Sequence, residues 1–278
     1  MMKPGRVGAA ALGFALLALP ALLAPLAHAD GDYISPTDDR MRVSFGAMHV
    51  SSSTTIRADS TTGVQGTVVN GENQLALDKS DYEPKFEVMV RAGTRNRLWF
   101  NYVTLDRDGN SVVQQPIVFR DVVLQPGEPL QSELDLRLLS LTYGYSFWHG
   151  EKLELAATLG VTSVQINAQA KVATEQVHVN QTETAAGPFP TPGFAATWAI
   201  AKHFYIDGRV QYLRLHINDL DGSLGMGELN LLYRIHPNVS FALGYAEIKA
   251  HVDSTKTSDS GLFDFNTKGP QLFVRVSF

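Results

Sequence analysis

From about residue 40 onward, apolar and polar side chains alternate in stretches of roughly ten residues, the period of a β-strand whose two faces meet different surroundings. The clearest stretch sets Leu153, Leu155, Ala157, Leu159 and Val161 against Lys152, Glu154, Ala156, Thr158 and Gly160. Another sets Leu139, Leu141, Tyr143, Tyr145 and Phe147 against Ser140, Thr142, Gly144 and Ser146. Trp148-His149-Gly150-Glu151 joins the two as a tight turn. The same alternation runs through residues 204–212, 229–235, 239–245 and 272–278. A transmembrane strand needs about 9–11 such residues, one face toward lipid and the other toward the lumen. The spacing predicts strands starting near Met41, Lys85, Arg97, Gln131, Lys152, Gly193, His203, Leu224, Val239 and Gly269, a count of ten. Residues 60–81 and 109–130 read as extracellular hairpins or as an added strand pair, so counts from about eight to twelve stay open. The expected fold is all-β: an antiparallel, up-and-down transmembrane barrel.

Link lengths orient it. Short links fall at residues 94–96, 148–151, 201–202 and 236–238, and long polar ones at 171–192 and 251–266. Short turns face the periplasm in such barrels and long loops face outward. Partway along many strands the apolar set changes parity. Val161 gives way to Val164 and Ile166, and Leu134 and Leu136 precede Leu139. Tyr212 gives way to Leu213 and Leu215, Tyr245 to Ile248, Ala47 to Met48 and Val50, and Tyr102 to Val103 and Leu105. A one-residue bulge on every strand is one cause. The other is a wall taller than the bilayer, whose outside meets water higher up so that apolar residues turn into the lumen. A common height on many strands favours the second.

The first residues are of another kind. Lys3 and Arg6 precede an apolar run broken by Pro20 and Pro25 and closed by Ala27-His28-Ala29, the pattern of a secretory leader cleaved after Ala29. This divides the chain into a signal peptide, 1–29, and a barrel, 30–278. Loss of Lys3 and Arg6 moves the formal net charge from −5 to −7, which argues against nucleic acid as a partner. The chain has 0 Cys, which excludes disulfides, thiolate metal sites, cysteine nucleophiles and lipidation.

The last strand sets Leu272, Val274, Val276 and Phe278 against Phe273, Arg275 and Ser277. With Tyr143-Gly144-Tyr145-Ser146-Phe147 and Gly244-Tyr245, the chain resembles the small OmpA/OmpW-like outer-membrane β-barrel superfamily from about residue 40 to its end. The resemblance implies the bacterial outer membrane as location, with lipid and lipopolysaccharide as surroundings. It implies that the barrel-assembly machinery reads the final strand ending in Phe278. It also implies passage of small hydrophobic compounds as one option.

Parity places Arg42, Lys85, Glu87, Arg91, Arg97, Glu154, Asp207, Arg209, Glu228, Arg234 and Arg275 in the lower lumen. Charges in a narrow lumen must pair, so this set reads as a structural plug or as an ion-selecting constriction. The upper lumen would hold Met48, Val50, Val103, Leu105, Leu134, Leu136, Val164, Ile166, Leu213, Leu215 and Ile248, as plain core or as a pocket for a small apolar molecule. Catalysis finds little support. Of His49, His149, His178, His203, His216, His236 and His251, only His216 with Asn218 and Asp219 forms a local polar group. No metal or cofactor is expected. The leading expectation is a non-enzymatic barrel with a structural or narrow-conduit role. Alternatives are a channel or carrier for apolar molecules, an adhesin acting through its loops, and an enzyme acting on lipid A or phospholipid.

Overall fold

The computed structural model describes residues 35–172, 176–179, 189–255 and 260–278, so the leader read over residues 1–29 lies outside it. Its strands are β1 (Met41–Ala58), β2 (Val69–Asn70), β3 (Ser80–Ala92), β4 (Asn96–Val112), β5 (Ile117–Phe119), β6 (Val122–Leu124) and β7 (Pro129–His149). They continue with β8 (Leu153–Val172), β9 (Gln176–Val179), β10 (Phe189–Ala199), β11 (Phe204–Ile217), β12 (Leu220–His236), β13 (Val239–Ser254) and β14 (Gly261–Ser277). Among the described residues one short helix, α1 (Gly71–Gln74), follows β2. Strands β1, β3, β4, β7, β8 and β10 to β14 each pair antiparallel with the next. β14 then pairs back onto β1, closing a barrel of ten strands.

Two faces account for the alternation. On β7, Leu139, Leu141, Tyr143, Tyr145 and Phe147 stand exposed outward while Ser140, Thr142 and Ser146 are buried inward. The exposed set continues round the wall through Leu98, Phe100, Leu159, Val161, Phe194, Val210, Leu229, Leu231, Phe241, Leu243 and Leu272. On a water-soluble fold so large an apolar surface would be an anomaly. Here it is the lipid-facing belt of a transmembrane barrel. Aromatic side chains mark its rims: Phe86, Tyr102, Tyr212 and Tyr245 toward the extracellular ends, and Tyr145, Trp148, Trp198, Phe204 and Tyr233 toward the periplasmic turns.

The parity reversals are not bulges. β7 and β8 stay in register from Leu130↔Val172 to Ser146↔Ala156, straight through the change at Leu138 and Leu139. β12 and β13 stay in register from Leu220↔Ser254 to Arg234↔Ser240. Their register shifts occur only near the periplasmic turns, at Ser146/Trp148 and Arg234/His236. Inward positions remain inward over the full strand, and it is the chemistry of each face that changes. The outward face of β8 passes from Val161 to the exposed Gln165, while Val164 and Ile166 are buried inside. The wall therefore rises above the bilayer.

One expectation for the links changes, and one open choice is decided. Residues 251–266 are mostly strand: β13 runs to Ser254 and β14 starts at Gly261. On the described strand ends the exposed Asp264 and the half-buried His251 and Asp253 reflect an outer face in water. Residues 60–81 and 109–130 add no barrel strands. β2 pairs with β1, and β5 and β6 form a separate hairpin. Val69, Val113, Ile117, Leu124 and Leu130 make a small apolar core there, a cap over the extracellular end.

Candidate functional site

The interior is filled in four successive layers. At the periplasmic mouth, residues 35–39 fold into the opening. The Ser35 hydroxyl donates to the Glu151 carbonyl at 2.6 Å, and Thr37 and Asp39 are buried. Asp39 accepts from Arg234 Nη2 at 2.8 Å and from Arg42 Nε at 3.1 Å. Its carbonyl accepts from Arg91 Nε at 3.1 Å.

Above this stopper lies the charged layer. Glu154 takes both Arg91 guanidinium nitrogens at 2.8 Å and Arg97 Nη1 at 3.2 Å. Arg209 Nη2 reaches Glu87 and Glu228, each at 2.7 Å. Lys85 also contacts Glu228, and Arg275 contacts Asp207 and, at 3.5 Å, Glu87. Arg42 lies 3.8 Å from Asp207. All eight residues expected in a lumen charge network, Arg42, Arg97, Glu154, Asp207, Arg209, Glu228, Arg234 and Arg275, are thus brought together. Every carboxylate in the layer is held by at least two cations. Arg97 and Arg209 flank the Trp99 ring, their guanidinium carbons 4.8 and 5.5 Å from its centroid. A cavity of about 20 Å³ remains beside Arg42, Arg97, Thr197 and Arg209.

A junction of mixed character follows, with a cavity of about 90 Å³ bordered by Met48, Glu83, Lys85, Val103, Gln211 and Ile248. Glu83 sits opposite Met48 of β1, above the lipid belt. The β3–β4 ladder ends below it at Lys85↔Val103, and Glu83 accepts only a 3.4 Å bond from the Asp106 backbone N–H. Burial, reinforced by the Asp81 and Asp106 charges, pushes its carboxyl up to about 7.

The upper layer is apolar. Met48, Val50, Leu105, Leu134, Leu136, Val164, Ile166 and Ile248 are buried in one cluster with Leu138, Leu224, Phe263 and Phe265, and Val103 packs against it. Leu213 and Leu215 are half-buried and border a cavity of about 50 Å³ with Val164, Ile166, Phe189 and Phe263. A second cavity, of about 40 Å³, lies under the cap. An apolar cavity that admits benzene measures about 150 Å³, so these spaces are too small for an aromatic hydrocarbon. Above them Arg107 donates to Glu72 of α1 at 2.7 Å, to Thr54 at 2.6 Å and to the Asp78 carbonyl at 2.7 Å, fastening the cap.

Four members escape the parity reading, Glu83 and Arg107 because they lie on strand ends beyond the belt pattern. Asp39 precedes the first strand, where alternation carries no information, and Glu72 lies on a helix inside a predicted loop. The His216 group is the tip of the β11–β12 hairpin. Asn218 takes φ 52° in the turn, and His216 is exposed, 3.7 Å from Asp221. Asp221 is shared with Arg214 at 3.5 Å, and among the described residues no nucleophile is hydrogen-bonded to His216, so the group lacks the contact on which a catalytic base acts.

Neither a family model nor a curated protein matches the sequence. Among solved structures, the outer membrane protease OmpT from Escherichia coli superposes with a TM-score of 0.57 at 11% identity, over 90% of this chain and 100% of that one. The translocator domain of the autotransporter NalP from Neisseria meningitidis gives 0.43 at 10% identity, over 97% of each chain. The outer membrane protein OprG from Pseudomonas aeruginosa gives 0.34 at 12% identity, over 86% of this chain and 95% of that one. The OmpT likeness, at 11% identity, is one of fold, and the fold is that of a β-barrel of the bacterial outer membrane.

Proposed function

We propose that this barrel serves as a closed, non-catalytic wall protein of the outer membrane, presenting its capped extracellular end rather than conducting solutes. The observation that carries the reading is the continuity of the filling. A stopper containing Asp39, a charged layer, an apolar layer and a cap succeed one another, and the cavities among them measure about 20 to 90 Å³. The charged layer works as a plug because each buried charge is held by partners, and separating them for a passing ion would cost several kcal/mol per charge. The apolar layer reads as the core that supports a wall standing above the bilayer, its residues fixed by packing as in any interior. The superposable structures include a protease, but likeness in fold alone carries no activity over to this chain.

Single-channel recording of the refolded chain in a planar bilayer tests the proposal. The wild type is expected to be silent. The double variant Arg209→Ala, Glu228→Ala removes the pair at the centre of the plug and is expected to give small or flickering openings. Steady openings in the wild type would overturn the closed reading and make the charged layer a working constriction.

A further inference from the structure

The charged layer does not balance. Among the described residues, seven cations share five carboxylates, a buried surplus of two positive charges. Burying charge without a counter-charge is among the costliest arrangements open to a protein interior, so the surplus calls for compensation. It concentrates at Arg97. The carboxylate nearest to it, Glu154, is already engaged by both terminal nitrogens of Arg91, and Arg97 reaches it through Nη1 alone. The Arg97 side chain is 1% exposed, and among the described residues its Nε and Nη2 donors meet no acceptor. The Trp99 face offsets part of the charge but offers nothing to N–H groups lying in the guanidinium plane.

Arg97 also borders the cavity of about 20 Å³, together with Arg42, Arg209 and Thr197. Glu87, Asp207 and Glu228 also lie on its wall, and each is already held by two cations. The space exceeds the roughly 10–15 Å³ that one water-sized species needs, and it is too tight for a phosphate or a carboxylate metabolite. A water would accept the Arg97 hydrogen bonds but leave the surplus charge uncompensated. We propose that the lower lumen binds a monatomic anion of halide size, chloride in ordinary media, held by Arg97 Nε and Nη2 within the field of Arg42 and Arg209. The anion completes the charge pairing of the plug, and the site does not depend on whether the barrel conducts.

Crystals of the refolded full chain grown in bromide are expected to show an anomalous difference peak within hydrogen-bond reach of Arg97 Nε and Nη2. In detergent solution, melting should occur at higher temperature in chloride or bromide than in gluconate of equal ionic strength. The Arg97→Met variant should lose that difference. If this variant fails to refold, Thr197→Leu, which fills the cavity while keeping the arginine, replaces it with the same expectation. Identical wild-type melting in halide and gluconate would overturn the proposal. So would water, or a carboxylate from Asp30 or Asp32 of the segment preceding Ser35, where the bromide peak should lie, and so would bromide bound only elsewhere.

Discussion

Glu83 shows how far a single side chain can depart from its sequence neighbourhood. It shares the inward face of β3 with Lys85, Glu87 and Arg91, yet where those three meet opposite charges it meets one backbone N–H and two other acids. Because its carboxyl titrates near 7 when folded and near 4.5 when not, the native state holds the proton more tightly. Its contribution to stability is therefore greatest at low pH and declines as pH rises through that window. The urea midpoint of the Glu83→Gln variant should exceed the wild type's at about pH 8 and converge with it at about pH 5. Equal midpoints at both pH values would show that Glu83 is solvated like an ordinary surface acid. At this scale the sequence was partly legible. Strand parity alone brought Arg42, Arg97, Glu154, Asp207, Arg209, Glu228, Arg234 and Arg275 to one lumen, because a period of two admits only two faces. It could say nothing of who pairs with whom, since Glu87 and Arg275 lie 188 positions apart and meet only through closure of the ring.

The strands were legible at one end and blurred at the other. Strands predicted to begin at Met41, Arg97, Lys152, His203 and Val239 begin at Met41, Asn96, Leu153, Phe204 and Val239, all periplasmic starts. Those expected at Lys85, Gln131, Gly193, Leu224 and Gly269 begin at Ser80, Pro129, Phe189, Leu220 and Gly261, on the extracellular side. The lag has one cause. Above the bilayer the outer face is polar and the inner face apolar, so the belt pattern ends while the hydrogen-bonded ladder continues. This inversion predicts the reactivity of single cysteines placed in a chain that has none. Thiol probes should label Gln165→Cys and Lys249→Cys readily and their inward neighbours Ile166→Cys and Ile248→Cys poorly. Comparable labelling of all four would mean that the upper wall is open or frayed.

Taken whole, the molecule is a barrel with two different outsides. Val161 and Gln165 lie on the same face of β8, four positions apart, one in the belt and one above it. Arginine at Ala157, midway along the belt residues of that face, should cost about 2–4 kcal/mol in refolding from urea into lipid vesicles, and arginine at Gln165 at most about 1 kcal/mol. Equal costs would move the edge of the membrane. The wall closes where β1 meets β14, with the Arg40 and Met41 N–H groups donating to the Phe278 carbonyl. Before that seam forms, the growing chain is a ribbon with two sticky margins, each able to recruit a stranger's strand. Closure joins β1 to β14, the first and last strands of the barrel in chain order, so the hazard lasts until both are in place. A stop codon that removes only β14 should therefore leave a product that is aggregated or degraded, as harmful to yield as the loss of half the molecule.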